Sequence, residues 1–203
     1  MNDPSTHWDN VFASKEPAET SWFQDDPTLS LALLDEWAHS SGSLIDIGAG
    51  SSRLAERLLD AGWRDISLLD VSAEALALTR RRLGDSSENL TFVNADVRHW
   101  TPSRHYDVWH DRAVLHFLVD AADCDHYVAA ALRALSPGGI LVIATFAADG
   151  PDQCSGLPVR RYGVDDLVKM FGPHFSLEDS RREEHVTPLG TVQPFTWVVL
   201  RRR

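Results

Sequence analysis

Cysteine is scarce in this chain: Cys124 and Cys154 are the only two among 203 residues. Two cysteines cannot build the bridged framework of a small secreted domain, and no metal-ligand spacing accompanies them. Positive charge is scarce as well. Nineteen Lys and Arg face thirty Asp and Glu, a formal net charge of −11. Nucleic-acid binding needs a basic face, so this balance argues against a nucleic-acid partner. The runs Arg80–Arg82 and Arg201–Arg203 read as solvated faces, the first at a helix end where cations suit the dipole. No apolar run reaches the ~18 residues that cross a bilayer, so no membrane partner is expected. The opening MNDPSTHWDN is polar and acidic, unlike a secretory leader. A cytoplasmic, reducing location and no metal are the expectations.

What is present is globular: 43% hydrophobic and 24% charged residues, in a length suited to one domain. Residues 1–42 read as a cover segment and helix, and 43–203 as an α/β core. HWDNVFASKEPAETSWFQ is aromatic but not clearly periodic, and reads as irregular or short-helical. Asp26-Pro27 reads as an N-cap and first helical position, opening a helix that ends near Ser41-Gly42. Strand and helix then alternate. LIDIG, ISLLD, LTFVNAD, YDVWHD and ILVIATF are the strands. Between the last two, Asp120 and Asp123 suggest a capping box for a helix with Cys124, Tyr127, Val128, Ala131, Leu132 and Leu135 on one face. A polar loop and a short helix over 164–171 follow. FSLEDSRREEHV and PFTWVVLRR then read as a terminal antiparallel hairpin. The fold class is therefore α/β: a Rossmann-like, seven-stranded, mostly parallel sheet with helices on both faces and a C-terminal antiparallel hairpin.

SLIDIGAGSSRL, Ser43 to Leu54, passes from strand through Gly48 and Gly50 into a helix. Such a turn presents unpaired backbone N–H groups to a ligand. A phosphate-binding P-loop is excluded, because no Gly-Lys-Ser/Thr follows. A dinucleotide fingerprint would need a third glycine where Arg53 stands. Ligands in such sheets lie at the carboxyl ends of the strands, and four strand ends carry polar residues: Asp46, Asp70, Asp96 and His110-Asp111.

At these residues the chain resembles the class I S-adenosylmethionine-dependent methyltransferases, from about Ser43 to the C-terminus. DIGAG is similar to that family's first motif, LLDVS to its second, NADV to its adenine-side turn, YDVWHDRAVLHF to its fourth motif and SPGGILVIATF to its strand-five motif. Ser52 stands where the first motif often has a third glycine. The resemblance implies S-adenosylmethionine as cofactor and S-adenosylhomocysteine as product. It implies a cofactor site of Asp46, Gly48, Ala49, Gly50, Asp70, Val71, Asp96, Val97 and Asp111. Asp46 would attract the ammonium group, Asp70 accept the ribose hydroxyls and Asp96 accept from the adenine amino group. Trp22, with Phe23, would roof the sulfonium.

Asp111-Arg112-Ala113 lies where the family places its acceptor. It is similar to the Asp-Arg-Gly of thiopurine S-methyltransferases and to the Asp-Lys-Gly of a protein-lysine group, with alanine in place of their glycine. Catalytic candidates are Asp111, Arg112 as an anion clamp, and His116 as a base; His110 is a comparable histidine. The expected function is methyl transfer by in-line displacement to a small-molecule acceptor. Three alternatives remain: a protein-lysine methyltransferase using Glu19, Asp25 or Trp22, a non-catalytic cofactor-binding module, and a dehydrogenase.

Overall fold

The computed structural model describes residues 3–203; Met1 and Asn2, which open the polar, acidic stretch read above, lie outside it. The segment read as irregular or short-helical opens with a short regular helix, α1 (Pro4–Ser14). Asp3 caps it, its carboxylate accepting from the Ser5 N–H at 3.3 Å, and Pro4 occupies the first turn. That is a complete start signal in the sequence. Helix α2 spans Thr28–Trp37. Asp26 does not cap it: Pro27 sits at the N-cap with ψ 60, and the Asp26 carboxylate turns to Arg57 at 3.4 Å. The helix also stops short of Ser41-Gly42, because His39–Gly42 closes as a separate turn.

The core follows as β1 (Ser43–Ile47), α3 (Leu54–Asp60), β2 (Asp65–Asp70), α4 (Ala73–Leu83), β3 (Leu90–Asn94), β4 (Tyr106–Arg112), α5 (Ala121–Ala134) and β5 (Leu135–Phe146). Ser72 caps α4, accepting from the Ala75 N–H at 3.1 Å, as the sequence indicates. The capping box expected at Asp120 and Asp123 does not form. Asp123 is instead drawn to Arg98 at 2.9 Å. Ser136–Gly139 does not separate α5 from the strand cleanly: β5 begins at Leu135 opposite Tyr106, then shifts register before Ile140 pairs with Val108. The loop after β5 holds a small unforeseen hairpin, β6 (Gln153–Cys154) with β7 (Leu157–Pro158). Helix α6 (Val164–Phe171), β8 (Phe175–Val186) and β9 (Val192–Arg202) complete the chain.

Strand order is β3-β2-β1-β4-β5-β9-β8. The first five strands are parallel, and β9 runs antiparallel to both β5 and β8. The chain winds outward from β1 to β3, then restarts at β4 on the other side of β1. That reversal opens a crevice above the carboxyl ends of β1 and β4. Alternation along the strands divides the interior. Ile45, Ile47, Trp109, Leu141 and Ile143 pack with Tyr127 of α5 and with Leu167 and Phe171 of α6. Leu44, Val108, Ile140, Val142 and Ala144 pack with α2 and α3 on the opposite face. Among the described residues no helix is long and apolar enough to cross a membrane, and no cluster of metal-ligating side chains occurs.

Candidate active site

The crevice continues as one cleft of about 250 Å³. Its floor at one end is the turn after β1. Gly48 has φ +63 and Gly50 φ +52, left-handed conformations that favour glycine. A Cβ on Gly48 would lie 2.0 Å from Cγ2 of Val114, and one on Gly50 would lie 3.2 Å from the Phe12 ring. The turn therefore works only with bare backbone.

Asp70, at the end of β2, faces this turn. One carboxylate oxygen accepts from the Gly50 N–H at 2.8 Å and the other from the Ser72 N–H at 2.7 Å. Each oxygen keeps a second lone pair. Burial pushes Asp70 up to about 6, against those two hydrogen bonds. Asp46 lines the same cleft and meets its register partner His110, Nδ1 to Oδ1, at 2.7 Å. His110 Nε2 meets the Ser30 hydroxyl at 3.0 Å. Both imidazole nitrogens are thus committed, so His110 orients Asp46. Asp96, Val71 and Val97 line the far end. Partial burial would raise the Asp96 carboxyl, but the Arg98 guanidinium outweighs it and holds Asp96 below the usual carboxylate range.

Helix α1 covers this half. Trp8, Phe12 and Trp22 pack edge to face, with Trp8 against Phe117 at a 5.0 Å centroid separation. Asp9 fastens the helix, accepting from the Ser72 hydroxyl at 2.6 Å and the Glu74 N–H at 3.2 Å. The sequence reading missed Trp8, Asp9 and Phe12; the Trp8-to-Phe12 spacing of four was the available signal.

At the other end stand Arg112, His116, Phe117, Phe146, Cys154, Gln193 and Phe195. Alternation along β4 sends His110 and Arg112 to the cleft side and Asp111 to the other. Asp111 does not line the cleft. It is buried against α5, accepting hydrogen bonds from the Tyr127 hydroxyl and from the Val114 and Leu115 N–H groups. Burial pushes it up to about 6. The sequence grouped Asp111 with the catalytic and cofactor residues; the structure gives it the work of holding the turn that carries His116. Ala113, where the resembling groups have glycine, has φ +76.

Arg112 is buried. Its Nη1 donates to the Trp22 carbonyl at 3.0 Å, and its guanidinium lies 4.7 Å over the Phe195 ring. Burial lowers its pKa while Glu183 opposes that shift. His116 accepts from the Phe146 N–H through Nδ1 at 3.3 Å. That bond places the ring proton on Nε2. Burial, aided by the Arg112 charge, pulls His116 down to about 3. In this arrangement His116 offers an N–H donor through Nε2, while its Nδ1 lone pair is already engaged. Cys154 is buried and its thiol is pushed up by that burial, so it is no thiolate nucleophile. Glu19 and Asp25 are exposed away from the cleft, Asp25 pairing with Arg53 at 3.3 Å.

A family model described as a methyltransferase domain matches residues 44–139. Among curated proteins, a malonyl-[acyl-carrier protein] O-methyltransferase of Ilyobacter polytropus is 25% identical over 153 residues, covering 75% of this chain and 56% of that protein. A zebrafish (Danio rerio) eEF1A lysine and N-terminal methyltransferase is 24% identical over 145 residues, covering 70% of this chain and 21% of that protein. The chain thus spans about half of the first relative and a fifth of the second. Among solved structures, the N-methyltransferase NodS of Bradyrhizobium japonicum in complex with S-adenosylhomocysteine has a TM-score of 0.74. It is 16% identical, and the match covers 97% of this chain and 98% of that one. The family match and the order of strand-end residues agree: residues 44–139 match a methyltransferase domain, and the whole chain shares the Rossmann-like fold of a solved methyltransferase.

Proposed function

We propose that this chain transfers a methyl group from S-adenosylmethionine to a small-molecule acceptor seated beside Arg112. One observation carries the reading: one continuous cleft joins the Gly48–Gly50 turn and Asp46 and Asp70 to a second, aromatic-walled end. The cofactor fits the residues present. Asp70 has two oxygens with lone pairs spare for ribose hydroxyls, Asp46 offers a fixed negative charge to an ammonium, and Val71 and Val97 flank the adenine end beside Asp96. When bound, the cofactor supplies a methyl group on a cationic sulfur, open to in-line displacement.

The protein's own part is positioning and exclusion of water. Trp8, Phe12, Trp22 and Phe117 close the top. Neither cleft imidazole is free to take a proton, since His110 is bonded through both nitrogens and the Nδ1 lone pair of buried His116 already accepts from the Phe146 N–H. The acceptor therefore enters as a competent nucleophile. A protein lysine is the less favoured acceptor, because the acids that would line its channel, Glu19 and Asp25, lie outside the cleft. Cys124 and Cys154 are free, buried thiols, which suits a cytoplasmic location.

Thermal melting tests the reading. S-adenosylmethionine and S-adenosylhomocysteine at ~100 times their Kd each add about 2.7 kcal/mol, a shift of roughly 5–10 °C for a chain this size. NAD is expected to add nothing. A shift with NAD alone would overturn the proposal.

A further inference from the structure

The acceptor end of the cleft holds a set of buried polar atoms with nothing to bond to. Arg112 uses Nη1 on the Trp22 carbonyl, but Nε and Nη2 are buried and without a partner. These two N–H groups form one edge of the guanidinium fork, the edge that grips a planar anion with two parallel bonds. Glu183 does not fill it. Its nearer oxygen stands 3.8 Å from Nε, too far for a hydrogen bond. Its two oxygens already accept from Gln24 Nε2 at 2.8 Å and Trp197 Nε1 at 2.9 Å. His116 Nε2–H is a third buried donor without a partner, on a side chain that is fully buried. Donors left bare in a dry interior are costly, and native structures rarely keep them without a use.

We propose that these donors form the binding site for a carboxylate on the methyl acceptor, held by the Nε/Nη2 edge of Arg112 and by His116 Nε2–H. The proposal rests on the methyltransferase reading only for the word acceptor; the anion site stands on the donors themselves. A carboxylate supplies two coplanar oxygens and about four lone-pair sites, enough for all three donors. A single negative charge also suits the surroundings. Among the residues lining the cleft, Arg98 is already paired with Asp96 and Asp123. Arg112 is then the one guanidinium there with an open edge, and Glu183 already offsets part of its charge. A phosphate dianion would exceed what remains. The rest of this end is Trp22, Phe117, Phe146 and Phe195, with the Cys154 thiol and the Gln193 amide, whose buried Oε1 is unpartnered and would take a donor elsewhere on the acceptor. The acceptor class is therefore a carboxylic acid on an apolar or aromatic body.

The test uses the full chain labelled with [15N]arginine, with and without saturating S-adenosylhomocysteine. It is titrated with benzoate against benzamide, phenylacetate against phenylacetamide, and indole-3-acetate against its amide. The acids are expected to bind about 10–100-fold more tightly than their amides, the range of one to two charge-assisted hydrogen bonds. They should also shift the Arg112 Nε–H signal, which the amides leave in place. Arg112→Met should erase the preference and Arg112→Lys keep part of it. His116→Phe should weaken acid binding by about tenfold, and His116→Gln by less. Equal binding of acids and amides to the unaltered chain would overturn the proposal. So would binding of neither, an acid preference that survives Arg112→Met, or phenyl phosphate outcompeting benzoate. Failure of the chain to bind S-adenosylhomocysteine is a separate result that sinks the methyltransferase reading, while the acid–amide comparison is still read without cofactor.

Discussion

The two ends of the cleft are built on opposite plans. At the cofactor end the three acids are already bonded within the protein: Asp70 to two backbone N–H groups, Asp46 to His110, Asp96 to Arg98. The ligand there meets a rigid surface and uses only spare lone pairs. At the acceptor end the polar atoms of Arg112 and His116 are buried and bare. One end is complete before anything binds, and the other is completed by what binds. The first arrangement favours tight, preorganised holding of one invariant molecule. The second favours discrimination, because a ligand lacking the right acceptor atoms leaves those donors unpaired.

The sharpest way to break the contrast is Asp70→Asn. It removes the charge that two ribose hydroxyls would use, and S-adenosylhomocysteine affinity should fall by about 100-fold or more by calorimetry. An unchanged Kd would mean the cofactor end is not where the turn places it. Asp111→Asn separates support from contact. It weakens three buried hydrogen bonds and should lower stability by about 2–4 kcal/mol in denaturant melts. Cofactor Kd measured on the folded fraction should move less than threefold, and a large change would restore Asp111 to the site.

The pH dependence of binding comes next in size. In the free protein burial holds Asp70 near 6. Its ionised form is the one that accepts two hydroxyls, so binding favours loss of the proton. Affinity for S-adenosylhomocysteine should hold above pH 7 and fall as the pH drops through 6, by up to about tenfold per unit. A flat profile down to pH 5 would contradict that burial. The smallest effect is expected at Ala113, whose φ of +76 strains any residue with a Cβ. Ala113→Gly should stabilise the chain by up to about 1 kcal/mol, the left-handed penalty less the extra freedom of glycine in the unfolded chain. A loss of stability would show that the alanine methyl packs better than it strains.

The cofactor end was legible because it is local. A strand, two glycines and a helix start lie within twelve residues, and Ser72 caps α4 two residues after Asp70. The acceptor end was legible only in part. The period of two along YDVWHDR places Asp111 opposite its neighbours His110 and Arg112, but the resemblance of Asp-Arg-Ala to an acceptor motif obscured that signal. The tautomer of His116 depends on the Phe146 N–H, thirty residues away. Gln193 and Phe195 enter the cleft wall, and Glu183 comes up behind Arg112, only through the pairing of β9 with β5 and β8, which no local pattern specifies. Helix α1 was read only as irregular or short-helical, without bounds, although its cap, its proline and its Trp8–Phe12 pair were all present. Scattered aromatics hid the helical period.

The insertion of β9 between β5 and β8 has a consequence for the nascent chain. The cofactor end uses residues up to His110 and Leu118, so its parts leave the ribosome early. The apolar run of β5 then waits, paired with β4 on one side and bare on the other, until residues 192–202 arrive to pair with it. An uncovered apolar strand edge is a template for wrong partners. Translation stalled between Phe146 and Val192 would leave a chain with most of its nucleoside pocket and an open, adhesive flank, a species that chaperones must shield until the last strand closes it.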